Sequence, residues 1–67
     1  MMELKYYEND EVRKMLEEWR IDNFNPSYRT IARVIGITYT YLMDWKNETR
    51  DMGQETLNKI ANFVKEN

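Results

Sequence analysis

The fold turns on Ser27-Tyr28-Arg29-Thr30-Ile31-Ala32-Arg33-Val34-Ile35-Gly36-Ile37-Thr38-Tyr39-Thr40-Tyr41-Leu42-Met43-Asp44-Trp45-Lys46-Asn47. Ile31, Ala32 and Ile35 share one face of a helix over about residues 27–35. Gly36 follows, where a left-handed C-terminal residue is favoured because glycine has no Cβ to clash. Thr38 can then cap a second helix at once, over about residues 38–46, with Leu42 and Trp45 inward. Ala32 is small enough for another helix to come close, and Ile37 can plug the core from the middle of the turn. Two short helices joined by so tight a turn describe a helix-turn-helix, whose second helix is held out from the body and can enter a major groove.

The flanks read as further helices. Val12, Met15, Leu16 and Trp19 fall at i, i+3, i+4 and i+7, a single apolar stripe that predicts a helix over about residues 10–23. Asn9 or Asp10 can cap it, and Asp10 and Glu11 suit the positive end of its dipole. Asn23 to Ser27 breaks the pattern. Either Asn25 caps the next helix with Pro26 in its first turn, or Ser27 does. Residues 47–52 are polar and loop-like, and Leu57, Ile60, Ala61 and Val64 trace a last helix over about residues 53–65. Residues 1–8, with Leu4 and Tyr6 alternating with charge, form an N-terminal arm, short and extended, ahead of a helix-turn-helix domain over residues 9–67.

Ser27 to Asn47, together with Leu57-Asn58-Lys59-Ile60-Ala61, resembles the lambda repressor-like (XRE-type) regulators, whose fourth helix often reads Leu-x-x-Ile-Ala. The resemblance spans roughly residues 10–65. It implies an all-α bundle of four to five helices, of which four are legible. It further implies sequence-specific binding of double-stranded DNA by a small transcriptional regulator, with the helix over 38–46 in the major groove. Three positions depart from the family. It commonly has Gln where this chain has Tyr28, often Glu where it has Lys46, and often Gly where it has Glu48.

Charge is unevenly distributed. Residues 1–24 carry seven acids against four bases, a net of −3; residues 25–50 carry four bases against two acids, a net of +2; residues 51–67 carry three acids against two bases, a net of −1. The total of −2 does not point to a nucleic-acid partner, but the local field decides polyanion binding, and the middle third is basic.

The resemblance assigns roles residue by residue. Tyr39 and Thr40, at the start of the groove helix, face base edges, and Thr40 can also touch a thymine methyl. Asp44, one turn on, can accept from cytosine N4. Arg50 can pair bidentately with guanine or with phosphate. Phosphate contacts fall to Tyr28, Arg29 and Arg33 on the backbone-crossing helix and to Lys46 and Asn47 at the loop. Each has a plainer reading: Thr40 as a surface hydroxyl, Asp44 as an acid paired with Lys46 or Arg50, Arg29 and Arg33 as a solvated face, and Tyr41 as partly core. Trp19, Trp45 and Met15 read as packing.

Other classes fare worse. The chain has no Cys and no His, so it lacks a thiolate site, the usual general base and the commonest metal ligand. No metal, cofactor or catalytic site is expected, and Glu17 and Glu18, as i, i+1 neighbours, diverge on their helix. No apolar run approaches the ~18 residues of a membrane span and no signal-peptide pattern opens the chain, so a cytoplasmic location away from membranes is expected. By analogy, size and acidic balance fit a phage or mobile-element regulator.

A symmetric homodimer on a pseudo-palindromic site is expected, through the Met1–Tyr7 arm pairing as a strand with its twin or through the Phe63 side of the last helix. The rival reading is a protein-interaction module on the same fold, an anti-repressor, inhibitor or accessory factor. Asp44, the missing Gln and the Tyr-rich helix edges favour that reading.

Overall fold

A computed structural model, describing residues 5–67, contains four α-helices: α1 Asn9–Asp22, α2 Tyr28–Ile35, α3 Tyr39–Lys46 and α4 Gln54–Glu66. No strand occurs among the described residues. Residues 1–4 of the expected arm lie outside them, and with them most of the proposed arm-to-arm pairing.

Local chemistry sets the middle helices where the sequence predicts them. Ser27 Oγ accepts from the Arg29 and Thr30 N–H groups at 3.0 and 3.3 Å, so Ser27 rather than Asn25 is the cap of α2. Gly36 ends α2 at φ 92, and its N–H returns to the Ala32 carbonyl at 2.9 Å. Thr38 Oγ1 then caps α3 by accepting from the Tyr41 N–H at 3.1 Å. Each such cap contributes roughly 1 kcal/mol against alanine.

The start of α1 differs from expectation. Glu8 holds the cap position and makes no side-chain cap bond. Asn9 has other work: its Oδ1 accepts from Trp45 Nε1 at 2.9 Å and from the Met52 N–H at 2.8 Å, and its Nδ2 donates to the Met52 carbonyl. An acceptor held for a buried indole N–H avoids a larger desolvation penalty than a first-turn cap would relieve.

α1 and α4 run parallel. Asn9, opening α1, meets Met52 just before α4, while Trp19 packs edge-on against Phe63, with ring centroids 4.7 Å apart. Val12 and Leu16 of the predicted stripe are buried; Met15 and Trp19 are half-buried against the same core. Ile31, Ala32, Leu42, Trp45, Leu57, Ile60 and Ala61 complete it, as the periodicity predicts, joined by Tyr7 and Met52. Each large aliphatic fully buried here contributes about 1.5–3 kcal/mol against exposure.

Tyr7 reaches the core because its segment docks on α4 through the backbone. Gln54 Oε1 accepts from the Tyr7 N–H at 2.8 Å and Gln54 Nε2 donates to the Tyr7 carbonyl at 2.7 Å. Asn58 treats Lys5 the same way, at 2.9 and 2.8 Å. Residues four apart on a helix rise about 6 Å, and alternate residues of an extended chain advance about 6.6 Å, so two side-chain amides on α4 match two backbone groups of the arm. Asn58 is only 3% exposed, and its remaining donor capacity goes to the Gln54 carbonyl.

The α1–α2 turn is strained. Phe24 and Asn25 take φ 66 and 54, and Asn25 donates to the Arg20 carbonyl at 2.7 Å, the bond that closes a left-handed helix end. Phe24 thus occupies a position that favours glycine, at a cost of order 1–3 kcal/mol.

Candidate nucleic-acid interface

α3 buries Leu42 and Trp45 completely and turns Tyr39, Thr40 and Lys46 to solvent. The alternation follows from the cap at Thr38: with the first turn started there, residues 42 and 45 fall inward and 39 and 40 outward. Tyr41, Met43 and Asp44 lie between, half-buried. Asp44 makes no ion pair with Lys46 or Arg50 among the described residues; its backbone carbonyl instead receives the Thr49 N–H at 2.8 Å.

Three tyrosines around this helix carry cations on their rings. The Arg29 guanidinium lies 4.2 Å from the Tyr39 centroid and that of Arg50 lies 4.5 Å from Tyr41. Tyr28 has Arg20 at 4.0 Å and Lys46 at 5.3 Å. Arg29 and Arg50 thereby bracket α3 from the two sides, one from α2 and one from the following loop. Such stacks lower the entropy lost when a guanidinium is fixed on a ligand, because the plane is already oriented.

The two arginines of α1 are paired. Arg13 pairs with Asp10 at 2.7 Å and Asp51 at 3.0 Å, and Arg20 with Glu17 at 3.8 Å. Arg29, Arg33, Lys46 and Arg50 are exposed and face no carboxylate within ion-pair distance among the described residues. They are the four bases that the sequence proposes for DNA; Lys5, Lys14 and Lys59, also exposed, likewise face no carboxylate at that distance.

Tyr28 is less available than the sequence expects. Its hydroxyl donates to Glu17 Oε2 at 3.0 Å. Burial first, and the bond to Glu17 second, push its pKa above the ordinary tyrosine value. A phosphate contact from this position would fall to the backbone N–H at the start of α2.

Asn47 is the exposed C-cap of α3, donating to the Met43 carbonyl at 2.9 Å. Glu48 takes φ 64, so the left-handed residue of this turn stands where the resembled family often carries glycine.

Sequence reading missed the residue that fixes this loop. Arg13 Nε donates to the Trp45 carbonyl at 2.6 Å, and its terminal nitrogens reach the Arg50 carbonyl at 2.9 Å and Asp51. The signal was its place beside Val12 on the flank of the apolar stripe, where a long side chain can reach across to a neighbouring element.

No protein-family model matches the chain, and no curated protein or solved structure does.

Proposed function

We propose that the chain binds duplex DNA as a small transcriptional regulator, with α2, its turn and α3 acting as a lambda repressor-like helix-turn-helix. The amino-terminal turn of α3, with Tyr39 and Thr40, enters the major groove. α2 crosses the backbone with Arg29 and Arg33, and the loop after α3 brings Lys46, Asn47 and Arg50 to phosphates or to a guanine edge. Asp44 is the candidate acceptor for a cytosine amine. The observation that carries the reading is the pair of guanidinium–tyrosine stacks, Arg29 on Tyr39 and Arg50 on Tyr41, which hold two exposed bases without carboxylate partners on either side of α3.

About four phosphate contacts per protomer give a slope of roughly −3 to −4 in log affinity against log salt. A gel-shift titration with a mixed-sequence duplex tests this. Arg50→Ala lowers the slope by about 1, while Thr40→Ala leaves the slope and reduces discrimination among sequences selected from a random pool. No salt-dependent binding at micromolar protein would sink the proposal.

A second reading, a protein-interaction module, draws on Asp44 and Glu48, which interrupt the basic strip. Against it, the tyrosine rings that would form an apolar docking face each lie under a cation.

A further inference from the structure

Three of the chain's five tyrosines fall between residues 28 and 41, and the core fully encloses none of them. Tyr39 is exposed, while Tyr28 and Tyr41 are half-buried at the edge of the core. Each ring carries a cation from a different element. Arg29 of α2 lies over Tyr39 of α3, Lys46 of α3 lies over Tyr28 of α2, and Arg50 of the following loop lies over Tyr41 of α3.

The donors of these three cations are open. Arg13 over Trp45 and Arg20 over Tyr28 are also ring-bound, but their N–H groups are taken up by carbonyls of Trp45, Arg50 and Pro26 and by carboxylates. The side chains of Arg29, Lys46 and Arg50 make no hydrogen bond and no ion pair among the described residues. A guanidinium rests on a ring by its face and donates from its edge, so a stack and a phosphate contact use different parts of the group. An ammonium over a ring likewise keeps donors turned away from it.

We propose that Tyr28, Tyr39 and Tyr41 are positioning residues of the DNA-binding surface, each ring holding one cation ready for a backbone phosphate, and that Tyr39 acts through Arg29 rather than by touching a base. The inference rests on the duplex-binding reading above. Long basic side chains lose rotamer freedom when they are fixed on a ligand, and a ring that already restrains them reduces that loss. The ring matters in this role and the hydroxyl does not. Because phosphates carry no sequence, the effect is the same on every duplex. Arg33, the fourth exposed base of the surface, lies over no ring among the described residues and serves as the internal control.

NMR of the free full-length chain and salt-titrated duplex binding test it together. In the free protein the Tyr39 ring shifts the Arg29 side-chain protons upfield, and Tyr39→Leu abolishes the shift at unchanged helix content. Tyr39→Leu binds each of several duplexes from a random pool about two- to fivefold more weakly. Its salt slope stays that of the wild type, since no charge is removed. Tyr39→Phe restores most of the loss. Arg29→Ala costs less affinity in the Tyr39→Leu background than alone, whereas Arg33→Ala costs the same in both. Unshifted Arg29 protons in the wild type, a Tyr39→Leu variant with altered sequence preference, a Tyr39→Phe variant as weak as Tyr39→Leu, or additive losses at Tyr39 and Arg29 would each overturn the inference and leave the duplex reading standing. A wild type that shows the shift but binds no duplex in a salt-dependent way would overturn both.

Discussion

The Arg13 guanidinium donates through Nε to the Trp45 carbonyl while lying 5.3 Å from the centroid of Trp45's own indole. One side chain of α1 thus holds both the last turn of α3 and, through the Arg50 carbonyl and Asp51, the loop that follows it. A cation also suits that place, because carbonyls at a helix carboxyl end carry partial negative charge.

Arg13→Ala removes bonds to two carbonyls at once, and lowers unfolding free energy by about 1–3 kcal/mol. Arg13→Lys falls between the two, since an ammonium cannot span the Trp45 and Arg50 carbonyls with a planar fork. Urea denaturation followed by tryptophan fluorescence measures both. An alanine variant as stable as wild type would show that the clip is incidental.

The docking of the arm has a residue-resolved signature. Lys5 and Tyr7 donate their N–H groups to Asn58 and Gln54 respectively, so both amide hydrogens exchange slowly in the native protein. Gln54→Ala releases the Tyr7 amide more than that of Lys5, and Asn58→Ala does the reverse. Hydrogen exchange read by NMR distinguishes the two. Equal, fast exchange at both positions in wild type would contradict the docked arm.

Tyr28 gives stability a dependence on alkaline pH. Its folded pKa is raised above the ordinary value near 10, by burial first and by the Glu17 bond second, with Arg20 opposing. The folded state holds the proton more tightly, so this contribution is whole below pH about 10 and drains as pH rises beyond it. Tyr28→Phe has no proton to lose there, and its urea midpoint declines less steeply between about pH 9 and 11. Parallel pH profiles for the two proteins would count against the bond to Glu17.

The sequence read well where local chemistry decides. Ser27, Gly36 and Thr38 cap or terminate helices through groups one to four residues away, and α2 and α3 fall within a residue of their expected bounds. The apolar stripes located the core for the same reason, since one helical period sets which residues face inward.

It read poorly where a polar side chain serves a distant element. Asn9 looks like a cap until Trp45 and Met52 are folded against it, 36 and 43 residues away. Gln54 and Asn58 look like helix surface until an arm lies across them. Tyr28 looks free until Glu17 comes within 3.0 Å. For the candidate interface, the i, i+3 pairs Arg13–Asp10 and Arg20–Glu17 were within reach of the sequence, whereas the tie from Arg13 to Asp51 was set by tertiary packing.

α3 anchors itself with Leu42 and Trp45, its two buried residues, and its start is fixed by Thr38 outside it. Its solvent-facing Thr40 is consequently decoupled from folding, whereas Tyr39 still carries the Arg29 guanidinium on its ring. A library randomised at position 40 among residues other than proline, on an otherwise constant chain, should keep the helical signal of the wild type in every member.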